Sequence, residues 1–422
     1  LLRTDPWGYP LVYPAGAFIV TSGSNRRETG THYTPKSLTE AIVAETLTPV
    51  AYVGPAEGSP RESWRLKSSA ELLDLKICDP AMGSGAFLVQ ACRWLADRLV
   101  EAWLFAEASG KVVSVDGDVL NLLDTQEPLP RDMDARIVIA RRLIAERCLY
   151  GVDLNPLAVE LAKLSIWLVT LAKGRPFGFL DHSLRCGDSL LGIHRLDQLT
   201  ELSMIPAGKG QQRLFGKNIE KAVHEAIELR QRLREMPIRD ICDVQAMAQL
   251  DADARNRLEV SKLVADALVG EVLATGENAA SLERGLASLA IQASQAFNNE
   301  TSALGLLEAR SKNNLSVDLP TTKSTRTSFH WALEFPEVFV RQRPGFDTLI
   351  GNPPFIGNRL WKGTLGDRLQ WQCQMILGSP PGKIDLCVVF HRRAVDLIRQ
   401  EGCYGLLATL LRAAQSQSVS AW

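Results

Sequence analysis

Short apolar runs alternate along this chain with longer stretches at helical spacing. The run at 75–78 ends in Asp79-Pro80-Ala81-Met82-Gly83-Ser84-Gly85-Ala86-Phe87, and a helical pattern follows over 88–106. Strand, glycine turn, helix is the opening of a βαβ unit. After a loop near 110–130, a helical pattern at 134–147 precedes a second strand at 149–152 that ends at Asp153. Asn155-Pro156 then starts a helix reaching about 172, since proline suits a first helical position. A third strand, 183–186, ends in Gly187-Asp188-Ser189. Upstream, Thr34 suits an N-cap and Pro35 the first turn of a helix over 38–47. Residues 1–30 read as short strands and turns, and 49–70 as a loop.

From 215 to 325 glycine and proline thin out, and Ala, Leu, Glu and Arg recur with helical spacing. This predicts an insertion of two to four helices packed as a hairpin or bundle. The α/β rhythm resumes at Phe329-His330-Trp331-Ala332-Leu333-Glu334-Phe335-Pro336. A strand at 346–350 feeds Gly351-Asn352-Pro353-Pro354-Phe355, a helix spans 386–399, and a last strand lies at 404–409. Alternating strands and helices predict an α/β fold, a Rossmann-like doubly wound sheet interrupted by a long α-helical insertion. The expected divisions are 1–30, 31–214, 215–325 and 326–422.

Composition narrows the class without choosing a function. At 422 residues, 46% hydrophobic and 23% charged, the chain can bury a large core, which excludes wholesale disorder and disulfide-dense miniproteins. Net charge is −1, so any nucleic-acid surface would be a local basic groove inside a neutral average. The 8 cysteines form no C-x-x-C pair and read as reduced core thiols, with no metal site expected. The most apolar long stretch, 157–172, carries Glu160 and Lys163, which argues against a membrane span. Without a signal peptide, the expected location is cytoplasmic. The chain opens on Leu1-Leu2 rather than Met, so a missing start is expected.

The candidate chemistry sits at strand ends. Two glycines, Gly83 and Gly85, fall short of a dinucleotide fingerprint, and Asp79 immediately before the turn would repel a pyrophosphate. A carboxylate there suits a cation, and S-adenosylmethionine carries an ammonium and a sulfonium. Glycines let the backbone approach such a ligand, although a purely structural turn reads the same way. Asp153 is placed to accept ribose hydroxyls, or to serve only as a helix N-terminal acid. Asp188 is placed to accept from an adenine amine, or to make an ordinary Gly-Asp turn. Asn352-Pro353-Pro354-Phe355 is the most specific signal: such a tetrad should arise by chance in roughly one chain of this size per hundred. A purine amine is a poor nucleophile because its lone pair is delocalised. The Asn352 side-chain oxygen and the Pro353 carbonyl would accept its two N–H bonds and free that pair. Pro354 stiffens the turn, and Phe355 offers a stacking face.

These residues together resemble the N6-adenine DNA methyltransferases of gamma motif order, the kind found in type II restriction–modification and phage-exclusion systems. The resemblance rests on Tyr33-Thr34-Pro35, the Asp79 to Gly85 loop, Tyr150-Gly151-Val152-Asp153-Leu154-Asn155, Gly187-Asp188-Ser189 and Asn352 to Phe355. It implies a sheet of the S-adenosylmethionine-dependent methyltransferase type. Tyr33, Thr34 and Pro35 would hold the cofactor carboxylate at a helix start. Asp79, Ala81, Gly83 and Gly85 would line the methionine, Asp153 and Leu154 the ribose side, and Asp188 and Ser189 the adenine. Asn352, Pro353, Pro354 and Phe355 would hold an adenine flipped out of double-stranded DNA. A restriction or defence-system partner is implied, and oligomeric state is not. His330 reads as packing beneath the active-site strand.

Two departures stand out. The helical block is longer than a minimal enzyme needs. After 409 the expected Asn-rich continuation is replaced by Leu410-Leu411-Arg412-Ala413-Ala414, which suggests truncation, with the last strands and the target-recognition part missing. Methylation of RNA, cytosine or protein glutamine amines, or an inactive fragment acting as a scaffold, are the competing expectations.

Overall fold

The computed structural model describes residues 34–408 apart from 56, 123–126, 172–175, 177, 207–212, 237, 277, 320–324, 357–365 and 378–384. The expected segment 1–30, Tyr33 and the tail from 409 lie outside the described residues.

The centre is a five-stranded sheet of β1 (Ile77–Asp79), β2 (Leu149–Asp153), β3 (Leu184–Cys186), β4 (Phe346–Gly351) and β5 (Ile398–Leu406). Their order across the sheet is β3-β2-β1-β4-β5, and every neighbouring pair is parallel. This is a mixed α/β fold with a Rossmann-like strand order, and its connections reverse direction between β1 and β4. Ligands in such sheets bind outside the carboxyl ends of the strands, at that reversal.

Strands β1, β2 and β4 bury apolar side chains on both faces because both are covered. On one face Ile77, Leu149, Leu184 and Ile350 pack against α1 (Lys36–Ala51), α2 (Ala86–Ala108), α3 (Met133–Arg147) and α4 (Pro156–Thr170). On the other, Cys78, Tyr150, Val152 and Leu349 meet an aromatic cluster of Phe329, Trp331, Phe335 and Phe346. Four helices fill the insertion: α5 (Gly216–Glu235), α6 (Ile241–Thr275), α7 (Ala279–Phe297) and α8 (Thr301–Leu315). They enclose a core of their own around Ile219, Val223, Leu268, Leu289 and Leu307. Beyond β4 come α9 (Asp367–Leu377) and α10 (Leu386–Leu397).

Buried ions fasten the insertion to the sheet. Arg230 of α5 pairs with Glu337 at 2.7 Å, and Arg185 of β3 pairs with Asp251 of α6 at 2.9 Å. The Tyr150 hydroxyl also donates to Glu337, at 3.1 Å. Burial by itself would raise the Glu337 carboxyl, yet the Arg230 guanidinium outweighs it and holds the group at about 2. His330 is fully buried and bonds Asp266 of α6 at 2.9 Å, so it packs as expected and also links insertion to core.

Several boundaries differ from the sequence expectation. Helix α1 starts at Lys36, with Pro35 as its cap at φ −55° and ψ 139°. Thr34 therefore stands outside the helix. The loop at 49–70 contains a hairpin of Tyr52–Val53 with Arg65–Leu66, and the loop at 110–130 one of Val112–Val113 with Val119–Leu120. The last strand begins at Ile398, directly after α10, instead of 404. Its polar start was hidden in the pattern because Arg399 is buried by pairing with Asp347 of β4.

Candidate functional site

Asp79 closes β1 and is 1% exposed. Its Oδ1 accepts one backbone bond, from Ala81 at 3.0 Å. Burial pushes the carboxyl up to about 8; the Ala81 N–H opposes this and the nearby Asp153 adds to it. A buried carboxyl without a cationic neighbour prefers its proton, and a positively charged ligand beside it would draw the proton off. Gly351, at the end of adjacent β4, makes room for it: a Cβ there would lie 2.6 Å from Asp79 Oδ1. The glycine motif supplies this contact from across the sheet.

The loop after Asp79 is held open by hydrogen bonds from the next strand. Met82 N–H donates to the Val152 carbonyl at 3.0 Å, and Gly83 N–H to Asp153 Oδ2 at 2.9 Å. Gly83 takes φ +54°, and a Cβ there would meet nothing within 4 Å. Gly85 caps α2, and a Cβ there would press on Ala162 of α4 at 3.1 Å. Gly83 thus adjoins open space, while Gly85 lies against Ala162. Ala81, half-buried, packs beside Leu190, Leu191 and Ile356.

Asp153 also accepts from Asn155 N–H at 2.8 Å on Oδ1. Burial raises this carboxyl, and the two backbone donors offset part of the rise. Each carboxylate oxygen can take a second donor, so the group has capacity left for hydroxyls. Leu154 beside it is 60% exposed. Asp188 follows β3 and accepts from Leu190 N–H at 3.0 Å. Burial raises it too, against the amides of Leu190 and Leu191 and the charges of Arg326 and Arg393. Ser189 donates through its hydroxyl to the Pro80 carbonyl, so the third strand end is stitched to the glycine loop. Asp79, Asp153 and Asp188 therefore stand at or just beyond three adjacent strand ends on one edge of the sheet.

Asn352 leaves β4 on the same edge. Its Nδ2 donates to Thr34 Oγ1 at 3.0 Å, and its Oδ1 is buried with no hydrogen-bond partner among the described residues. Pro353 is buried, and Pro354 and Phe355 are partly exposed. Ile356 anchors the segment below, where its carbonyl accepts from Leu386 N–H at 3.1 Å. The structure brings Thr34, Asp79, the loop, Asp153, Asp188, Ser189 and the tetrad to one edge, while Tyr33 lies outside the described residues. The sequence reading missed the Thr34–Asn352 bond and the part played by Gly351. The first joins positions 318 residues apart and left no local signal. A cavity of about 1010 Å³ opens at the opposite edge, among Asp74, Arg147, Arg234 and Arg341, away from these groups.

Residues 147–411, more than half of the chain, match the family described as Eco57I restriction-modification methylase. The match begins just before β2 and takes in Asp153, Asp188 and the Asn352 tetrad. The chain is also 22% identical, over 377 residues covering 80% of it, to a putative type II restriction enzyme and methyltransferase, RM.MjaORFECS2P, from Methanocaldococcus jannaschii. It spans 26% of that relative's length.

Proposed function

Because this chain belongs to the Eco57I restriction-modification methylase family, we propose that it transfers a methyl group from S-adenosylmethionine to the N6 amine of an adenine flipped out of DNA, in a restriction–modification or phage-defence setting. One observation carries the reading: the Asn352 side-chain oxygen is a buried acceptor with no donor among the described residues, on the edge where three acids gather. A buried acceptor left unpaired costs roughly 1–3 kcal/mol, a cost that a ligand's donor at this edge would relieve.

The residues fit the cofactor. Asp79 is a buried carboxylate suited to an ammonium or sulfonium, Gly83 opens onto free space, and Asp153 keeps acceptor capacity for ribose hydroxyls. When bound, the cofactor supplies an electrophilic methyl group on a sulfonium. The chain's own residues prepare the acceptor. Asn352 Oδ1 and the Pro353 carbonyl take the two N–H bonds of the purine amine, which localises its lone pair toward the methyl. The Pro-Pro backbone holds both oxygens in place, and Phe355 covers the base. After transfer the nitrogen carries a positive charge and is strongly acidic, so it gives its proton to water and no strong general base is needed. We assign cofactor binding to 31–214 and the target base to 326–422, joined by the helical block at 215–325.

Tritiated methyl transfer to unmethylated DNA, RNA and protein, run side by side, tests the reading. DNA labelled on adenine N6 is the expected result, with Asn352→Ala lowering the rate at least a hundredfold. Label on cytosine, RNA or glutamine would replace the substrate while keeping the site. A folded protein that binds no S-adenosylmethionine by calorimetry would overturn the proposal.

A further inference from the structure

We propose that Thr34 is a positioning residue: its hydroxyl anchors the Asn352 side-chain amide at the place where it would meet the target base. The inference rests on the methyl-transfer reading above. An amide bonded through one end is held in place for what the other end must do. Here Nδ2 donates to Thr34 Oγ1 at 3.0 Å, and this leaves Oδ1 as the free, buried end.

Without that anchor the amide would be free to turn about its side-chain bonds, and the amine would meet its acceptor less often. Both partners are set on rigid supports. Thr34 is 7% exposed and directly precedes Pro35, whose carbonyl accepts from Leu38 and Thr39 in the first turn of α1. Asn352 directly follows β4, whose last residue, Gly351, accepts from Leu407 N–H at 3.1 Å. The bond thus runs from the start of the described chain to the end of a central strand. Thr34 is not a helix N-cap in this fold, because Pro35 occupies that position and the hydroxyl is engaged with the amide.

The test compares Thr34→Val, which keeps the shape and removes the acceptor, with Thr34→Ser, which keeps the acceptor. In single-turnover methylation with saturating cofactor and DNA, the Val variant should be about ten- to a hundredfold slower, the scale of one lost hydrogen bond in a transition state. Ser should restore the rate. A Val variant with an unchanged rate overturns the proposal. So does one that loses cofactor affinity but reaches the normal rate at saturation, since the hydroxyl would then be a cofactor contact. A second readout needs no activity. The side-chain amide signals of Asn352 in nuclear magnetic resonance, identified by their loss in Asn352→Asp, should shift in ligand-free Thr34→Val and recover in Thr34→Ser. Signals unmoved by Val overturn the bond itself. A wild-type chain without methyl transfer would count against the proposed function, while the amide signals would still decide the role of Thr34.

Discussion

Asp79 shows how one residue can be costly to the fold and useful to the site. Its carboxyl is pushed up to about 8 by burial, from a usual value of 3.8. A folded-state value above the unfolded one stabilises the protein below the unfolded value, and the contribution is lost as pH rises through the folded value. Ligand-free protein should therefore lose stability between about pH 4 and pH 8 from this group, and Asp79→Asn should flatten that slope in thermal melts. Cofactor affinity should run the other way. A cationic ligand needs the ionised carboxylate, so affinity measured by calorimetry should rise with pH up to about 8, with proton release on binding below it. Gly351→Ala makes a separate prediction, because its methyl would fall 2.6 Å from Asp79 Oδ1. It should cost about 1–3 kcal/mol in urea unfolding, the usual penalty of overpacking.

At the scale of elements, the joint between insertion and sheet is ionic and the outer face of α4 is not. Arg230 and Glu337 are both buried and hydrogen-bonded. Removing one partner strands the other's charge. Arg230→Met should thus destabilise by about 3–5 kcal/mol, and adding Glu337→Gln should recover part of the loss. Glu337 is held at about 2 against a usual 4.5, so its stabilisation is present above pH 4.5 and lost as pH falls through about 2. Acid titration of the double variant should lack that step. Helix α4 differs: Leu157, Leu161, Leu164 and Leu168 are 45–65% exposed along one stripe. These are the residues that made 157–172 the most apolar stretch of the sequence. No helix among the described residues is long and apolar enough to cross a membrane. Since the described fold already leaves these side chains in solvent, Leu161→Lys with Leu164→Lys should change stability by no more than about 0.5 kcal/mol each.

For the molecule as a whole, local signals and long-range contacts divide the work. Strand runs, glycine turns and helical spacing can be read in a short window, because burial on both faces or on one stripe leaves a repeating pattern. The alternation of strands and helices and the standing of Asp79, Asp153, Asp188 and Asn352 at or just after strand ends were legible for that reason. The roles carried by tertiary contact were not. The start of β5 reads as the last residues of the preceding helix until Asp347 is seen to pair with Arg399. The packing of Gly85 against Ala162 of α4 is invisible until the two helices are seen together. His330 reads as plain packing until Asp266, from a helix 64 positions away, bonds it. By itself, the sequence determined that Asp79, Asp153, Asp188 and Asn352 stand at or just after strand ends, since a strand and its turn are specified within a few neighbours. Only the tertiary structure decided that the Asn352 amide turns its nitrogen to Thr34 and that Gly351 yields its side-chain space to Asp79. Those choices depend on atoms brought together across hundreds of residues, where no local pattern reaches.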